Sequence, residues 1–191
     1  MLFEIVSISW LLASEISIDP ILVERSISTF DNCSNDLFKL SQSIDSFENI
    51  VYDTYYNRRF NFSVDYPSGL LLAQGESING DGQSFLAPDR SIAMVVFGQH
   101  NRDNLNIEAL YQNALINFNN PEHSKIITYQ IQHDNWFVIS GYSNDLVFYQ
   151  RTILEGNIIQ TLTIEYNAAL QPEFDDIVTE ISRSFRSTNP R

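Results

Sequence analysis

A chain of 191 residues with 24 acidic against 11 basic side chains carries a formal charge of -13. Phosphate recognition relies on clustered Lys and Arg, and Lys39 and Lys125 are the only lysines, so nucleic acid and anionic membrane surfaces are poor partners. An apolar fraction of 43% with 13% aromatics suffices for a core and excludes bulk disorder, and the length suits one domain plus an extension.

The acidic excess is dispersed. Residues 1–50 hold eight acids and two bases, residues 51–191 sixteen and nine, which describes a solvated acidic surface rather than a charged tail. Leu2–Ala13 is apolar in the manner of an export signal, yet Glu4 stands where a basic residue is expected and no Lys or Arg precedes Arg25. The segment reads either as a signal or as a strand or helix packed on the domain, leaving the compartment open between cytoplasmic and extracytoplasmic. No stretch reaches the roughly 20 apolar residues that span a bilayer. Cys33, the single cysteine, excludes an intramolecular disulfide, and Phe30-Asp31-Asn32 before it is no lipoprotein motif. Residues 14–34 lack a sustained period. Leu37, Leu40, Ile44, Phe47 and Val51 then recur at helical steps, so a helix is expected over about 35–51, capped by Ser34 or Asn35. These features define an extension, 1–55.

A domain is expected over 56–187, with 188–191 as a tail. Phe60, Phe62, Val64 and Tyr66 alternate with polar residues, the pattern of a half-buried strand ended by Pro67-Ser68-Gly69. Short strands are expected over Leu70–Gln74 and Gln83–Ala87 around the turn Asn79-Gly80-Asp81-Gly82, and Ile92–Phe97 fits a central strand. Asn104 or Asn106 can cap a helix reaching about Phe118, whose Leu110, Ala114, Leu115 and Phe118 share a face. Strands over Lys125–Ile131, Trp136–Tyr142, Leu146–Leu154 and Ile158–Tyr166 follow, separated by turns too short for parallel crossovers. Gln171–Phe185 closes the chain as a helix with Phe174, Ile177, Val178, Ile181 and Phe185 on one face. The fold class is α+β: an antiparallel β-sheet flanked by helices.

Tyr56 and Asn57 leading into Phe60-Asn61-Phe62-Ser63-Val64-Asp65-Tyr66-Pro67, then Phe85-Leu86-Ala87-Pro88-Asp89, Phe137-Val138-Ile139-Ser140-Gly141, Phe148-Tyr149-Gln150-Arg151 and Ile181-Ser182-Arg183-Ser184-Phe185, form a recognisable set. On these residues the chain resembles the PsbP-like α/β/α sandwiches from Tyr56 onward, about two-thirds of its length. That group includes bacterial lipoproteins, extracytoplasmic proteins and the photosystem II extrinsic subunit. The resemblance implies the fold, and a role as assembly factor, extrinsic subunit or binding module more than as an enzyme. No stretch matches a metal or chloride site of the group, so none is carried over.

Chemical constellations are sparse. His123 and His133 lie ten residues apart at expected turns, without the short spacing or third ligand of a zinc site. Asn79-Gly80-Asp81-Gly82 lacks the glutamate that completes a calcium loop, because the twelfth residue from Asn79 is Arg90. There is no G-x-S-x-G elbow, Cys33 has no nearby histidine, and Asp175-Asp176 suit the first turns of a helix. No catalytic residue, metal or cofactor is assigned. Tyr149 and Arg151 alternate on one strand, with Tyr142 and Glu165 on neighbouring strands, so these four could line a concave, partly polar surface; a sheet edge would need solvated residues there in any case. The leading expectation is a non-enzymatic binding or assembly module with an unidentified protein partner, acting through its acidic surface. The alternatives are a small-molecule or lipid carrier, recognisable by a pocket above about 300 Å³ lined by Phe97, Phe118 or Trp136, and an unrecognised hydrolase.

Overall fold

The computed structural model describes residues 50–119 and 125–188. Among these residues ten strands and two α-helices follow one another. Strands β1 (Tyr52–Asn57) and β2 (Phe62–Pro67) form a hairpin. Next are β3 (Leu72–Glu76), β4 (Gly82–Leu86), β5 (Ile92–His100) and helix α1 (Ile107–Phe118). A meander follows of β6 (Lys125–Gln132), β7 (Trp136–Ser143), β8 (Leu146–Glu155) and β9 (Ile158–Asn167). Helix α2 (Gln171–Ser184) and β10 (Arg186–Ser187) end the series. The expected antiparallel α+β architecture is present, distributed over two sheets: one of seven strands, ordered β3-β4-β5-β9-β8-β7-β6, and one of three, ordered β1-β2-β10.

Alternation along the meander assigns each face of the large sheet its cover. On β8, Val147 and Ile153 join the core formed with α2 and the small sheet, while Phe148 between them faces α1. The α2 side buries Phe62, Val64, Leu162, Ile164, Phe174, Ile181 and Phe185 almost completely. Each such side chain contributes about 1.5–3 kcal/mol by leaving water. Helix α1 starts where Asn106 accepts a hydrogen bond from the Ala109 N–H at 2.8 Å, and sets Ile107 and Ala114 against Phe137, Ile139 and Phe148.

Four expectations are corrected. Tyr52–Asn57 is a strand paired along its length with β2, so the boundary expected at Tyr56 cuts through a hairpin. Ile50 and Val51, expected to end a helix, are non-helical, and Val51 is exposed; the remainder of that expected helix, residues 35–49, lies outside the described residues, as do Leu2–Ala13, Cys33 and His123. Phe60, expected in a strand, sits in the turn joining β1 to β2, where Asn61 takes φ 50°. Buried Asn57 organises that turn: its amide nitrogen donates to the Gly80 carbonyl and the Tyr55 hydroxyl at 3.0 Å, and its Oδ1 accepts from the Phe60 N–H at 2.8 Å. Phe60 then drops onto Gly98, where a Cβ would lie 2.4 Å from that of Phe60, so no larger residue fits beneath it. At the far end the expected tail is still attached at its first residue, since the Thr188 N–H donates to the Asn61 carbonyl.

Candidate functional site

Strand parity decides where the four expected surface residues lie. Tyr149 and Arg151 do share a face of β8, and Tyr142 on β7 joins them, but that face lies under α2. The Tyr142 hydroxyl donates to Gln171 Oε1 at 2.8 Å, and the Tyr149 hydroxyl lies 2.6 Å from Ser182 Oγ. Arg151 Nη1 donates to the Ser182 carbonyl at 2.5 Å and reaches its Oγ at 3.2 Å. Together they fasten α2 to the sheet. Burial raises the Tyr149 pKa and lowers that of Arg151, the direction that loss of water imposes on each charged form. Glu165 does not belong to the set. It pairs across the sheet with Phe148, faces α1, and meets Lys125 Nζ at 3.7 Å.

Arg151 is the member that still meets a surface. Its guanidinium lies 4.7 Å from the centre of the Trp136 ring, which stacks in turn on His133 at 4.3 Å. Arg151 and Trp136 border a cleft of about 230 Å³ whose wall includes Asn135, Ile153, Glu155, Phe185, Arg186 and Ser187. A second cleft, of about 460 Å³, is bordered by Tyr56, Arg58, Arg59, Glu76, Asn79 and Gly80. The registers Gly82↔Phe97, His100↔Ile158 and Trp136↔Ile153, with Phe60 seated on Gly98, bring both clefts to the same end of the domain.

Arginines therefore border both openings of a strongly acidic chain. Among the described residues the ion pairs within 4.0 Å are Lys125–Glu165 and Arg183–Glu180, so none of Arg58, Arg59, Arg151 and Arg186 is paired with a carboxylate. Arg59 is held by the Asn79 carbonyl and lies over Phe60, and Arg186 donates to the Ser184 carbonyl. The sequence singles out Arg151 but not Arg58, Arg59 and Arg186, although the tandem Arg58-Arg59 is a visible signal in so acidic a chain. Among the described residues no group of three or more His, Cys, Asp and Glu is placed to hold a metal. Phe118 stacks on Phe148 at 4.9 Å, filling the space between α1 and the sheet, and neither cleft is bordered by Phe97 or Phe118.

No protein-family model and no curated protein matches the chain. A solved structure does: the solution structure of cyanobacterial PsbP (CyanoP) from Synechocystis sp. PCC 6803 superposes with a TM-score of 0.55 over 73% of this chain and 94% of that chain. The fold is PsbP-like. At 9% identity the likeness is one of architecture, the same fold that the sequence motifs implied. No described helix of this PsbP-like domain is long and apolar enough to cross a membrane.

Proposed function

We propose that this chain is a non-enzymatic binding module on a PsbP-like scaffold, docking a protein partner through the arginine-bordered end of the domain. One observation carries the reading: Arg58, Arg59, Arg151 and Arg186 border two clefts at that end, and none has a carboxylate partner among the described residues. Guanidinium groups are favoured at protein interfaces because they stack, fork and pair with carboxylates. An acidic chain bearing an arginine-rich end repels like-charged surfaces elsewhere and orients an approaching acidic segment toward that end. The acidic surface expected from composition thus acts as the background rather than as the contact.

The test is affinity capture from extract of the native host with the full chain, in parallel with a chain carrying Arg58→Gln, Arg59→Gln and Arg186→Gln. A partner retained by the first, lost by the second and released by added salt supports the module. Equal recovery on both chains overturns it.

A further inference from the structure

The 230 Å³ cleft contains an incompletely solvated charge. Arg151 gives Nη1 to a carbonyl and a hydroxyl of Ser182 and places its guanidinium carbon 4.7 Å from the Trp136 ring centre, so these partners, among the described residues, are neutral. Its Nε is buried and has no acceptor among the described residues. A charge drawn out of water needs compensation, and a guanidinium that receives only dipoles and an aromatic face keeps an unspent attraction for an anion. Glu155 borders the same cleft and forms no ion pair with it. Arg186 lies on the rim and adds a second positive charge, and Asn135 adds amide donors.

The walls narrow the class of anion. Ile153 and Phe185 give the cleft an apolar side, and its volume is below the roughly 300–1,000 Å³ of pockets that enclose drug-sized ligands. A nucleotide is too large for it. A phosphate monoester brings close to two negative charges against the Glu155 carboxylate. A single carboxylate on a short aliphatic stem matches the planar guanidinium, the apolar wall and the size together. We propose that the Arg151 cleft is a receptor for such a carboxylate, supplied either by the end of a polypeptide or by a free short-chain acid. The polypeptide source rests on the protein-docking function proposed above; the cleft chemistry does not.

Trp136 reports occupancy directly, because Trp10 is the other tryptophan and Trp10→Phe leaves a single indole against Arg151. The full chain with Trp10→Phe is titrated at low salt with butyrate, with a short peptide ending in Ala-Leu, and with the same peptide amidated at its C-terminus. A saturable fluorescence change is expected with the two acids, and the amide should bind about tenfold more weakly than the free peptide, the scale of one charge-assisted hydrogen bond. Arg151→Gln should abolish the change. Because that variant also loosens α2, Glu155→Gln provides a second arm: it leaves the α2 contacts intact and should tighten carboxylate binding about twofold by removing a like charge. Binding of both acids, or of the peptide alone, supports the receptor. Binding of butyrate alone supports it too, while removing the protein-docking function from this cleft. Equal affinity for acid and amide, or no saturable change with either acid, overturns it.

Discussion

On one face of the large sheet, α2 and the three-stranded sheet bury a continuous core running from Tyr55 and Phe62 through Leu162 and Ile164 to Phe174 and Phe185. On the other face, α1 covers a smaller group centred on Phe137, Ile139 and Phe148, and leaves its own Ile116 exposed. The difference separates two kinds of stability. Contacts between chain-distant elements hold the α2 side, so opening it means global unfolding. The short helix α1 rests on a few rings and a good cap, so it belongs to the elements that open locally at lower cost.

The largest expected effect tests the strong side. Phe174→Ala should cost about 3–5 kcal/mol in denaturant unfolding, because a fully buried ring leaves a cavity that its neighbours only partly fill. A cost below about 1 kcal/mol would show that α2 is not the anchor. The next effect is alkaline. Tyr166, Tyr55 and Tyr149 all lie on the α2 side, and burial foremost raises their pKa values above the usual value, with Asp175 adding to it at Tyr166 and Glu76 at Tyr55. The folded chain therefore retains protons that the unfolded chain releases above about pH 10. Their contribution is complete below that value and is lost as pH climbs toward the raised folded-state values, so Tm should fall on the alkaline limb. Tyr166→Phe should flatten that limb, and an unchanged slope would remove tyrosine burial as its cause.

On the weaker side, Asn106→Ala removes the cap of α1 and should cost about 1 kcal/mol. Hydrogen exchange sharpens the contrast: amides of α1 should gain exchange rate while those of α2 keep theirs. A uniform acceleration over both helices would merge the two sides into one cooperative unit. The smallest effect belongs to Arg183→Gln, which deletes a solvent-exposed pair with Glu180 and should change stability by less than about 1 kcal/mol in a thermal melt.

Strong periods made most of the fold legible. The apolar face of α2, the Asn106 start of α1 and the turns of the meander all follow from spacing and turn chemistry, and they emerge within one or two residues of expectation. Strand β1 escaped because its two buried positions are Tyr55 and the polar Asn57, among exposed Asp53, Thr54 and Tyr56, which offers no apolar alternation to read. The second sheet escaped for a related reason: Ser63 is as buried as Phe62 and Val64, so β2 is enclosed on both faces while its sequence reads as one-sided. The candidate surface was half legible. Parity within β8 correctly joins Tyr149 to Arg151, but parity between strands depends on register, and Tyr149 stands opposite Ile164 rather than Glu165. One residue of offset sends Glu165 through to the other side. Arg186 entered the cleft through a strand of two residues, too short to carry any period.

The pairing of Arg186 and Ser187 with Ser63 and Phe62 gives biosynthesis a late closing step. A ribosome delivers the β1–β2 hairpin more than a hundred residues before the strand and helix that enclose it, a separation that Ser184 Oγ bonding the Asp65 N–H from 119 positions away makes concrete. Until α2 emerges, Phe62 and Val64 lack the cover that Phe174, Ile181 and Phe185 later give them. The emerging polypeptide can assemble its meander early, while the anchoring layer waits for α2 and β10 to leave the ribosome, an interval in which a holding chaperone finds Phe62 and Val64 not yet covered by α2.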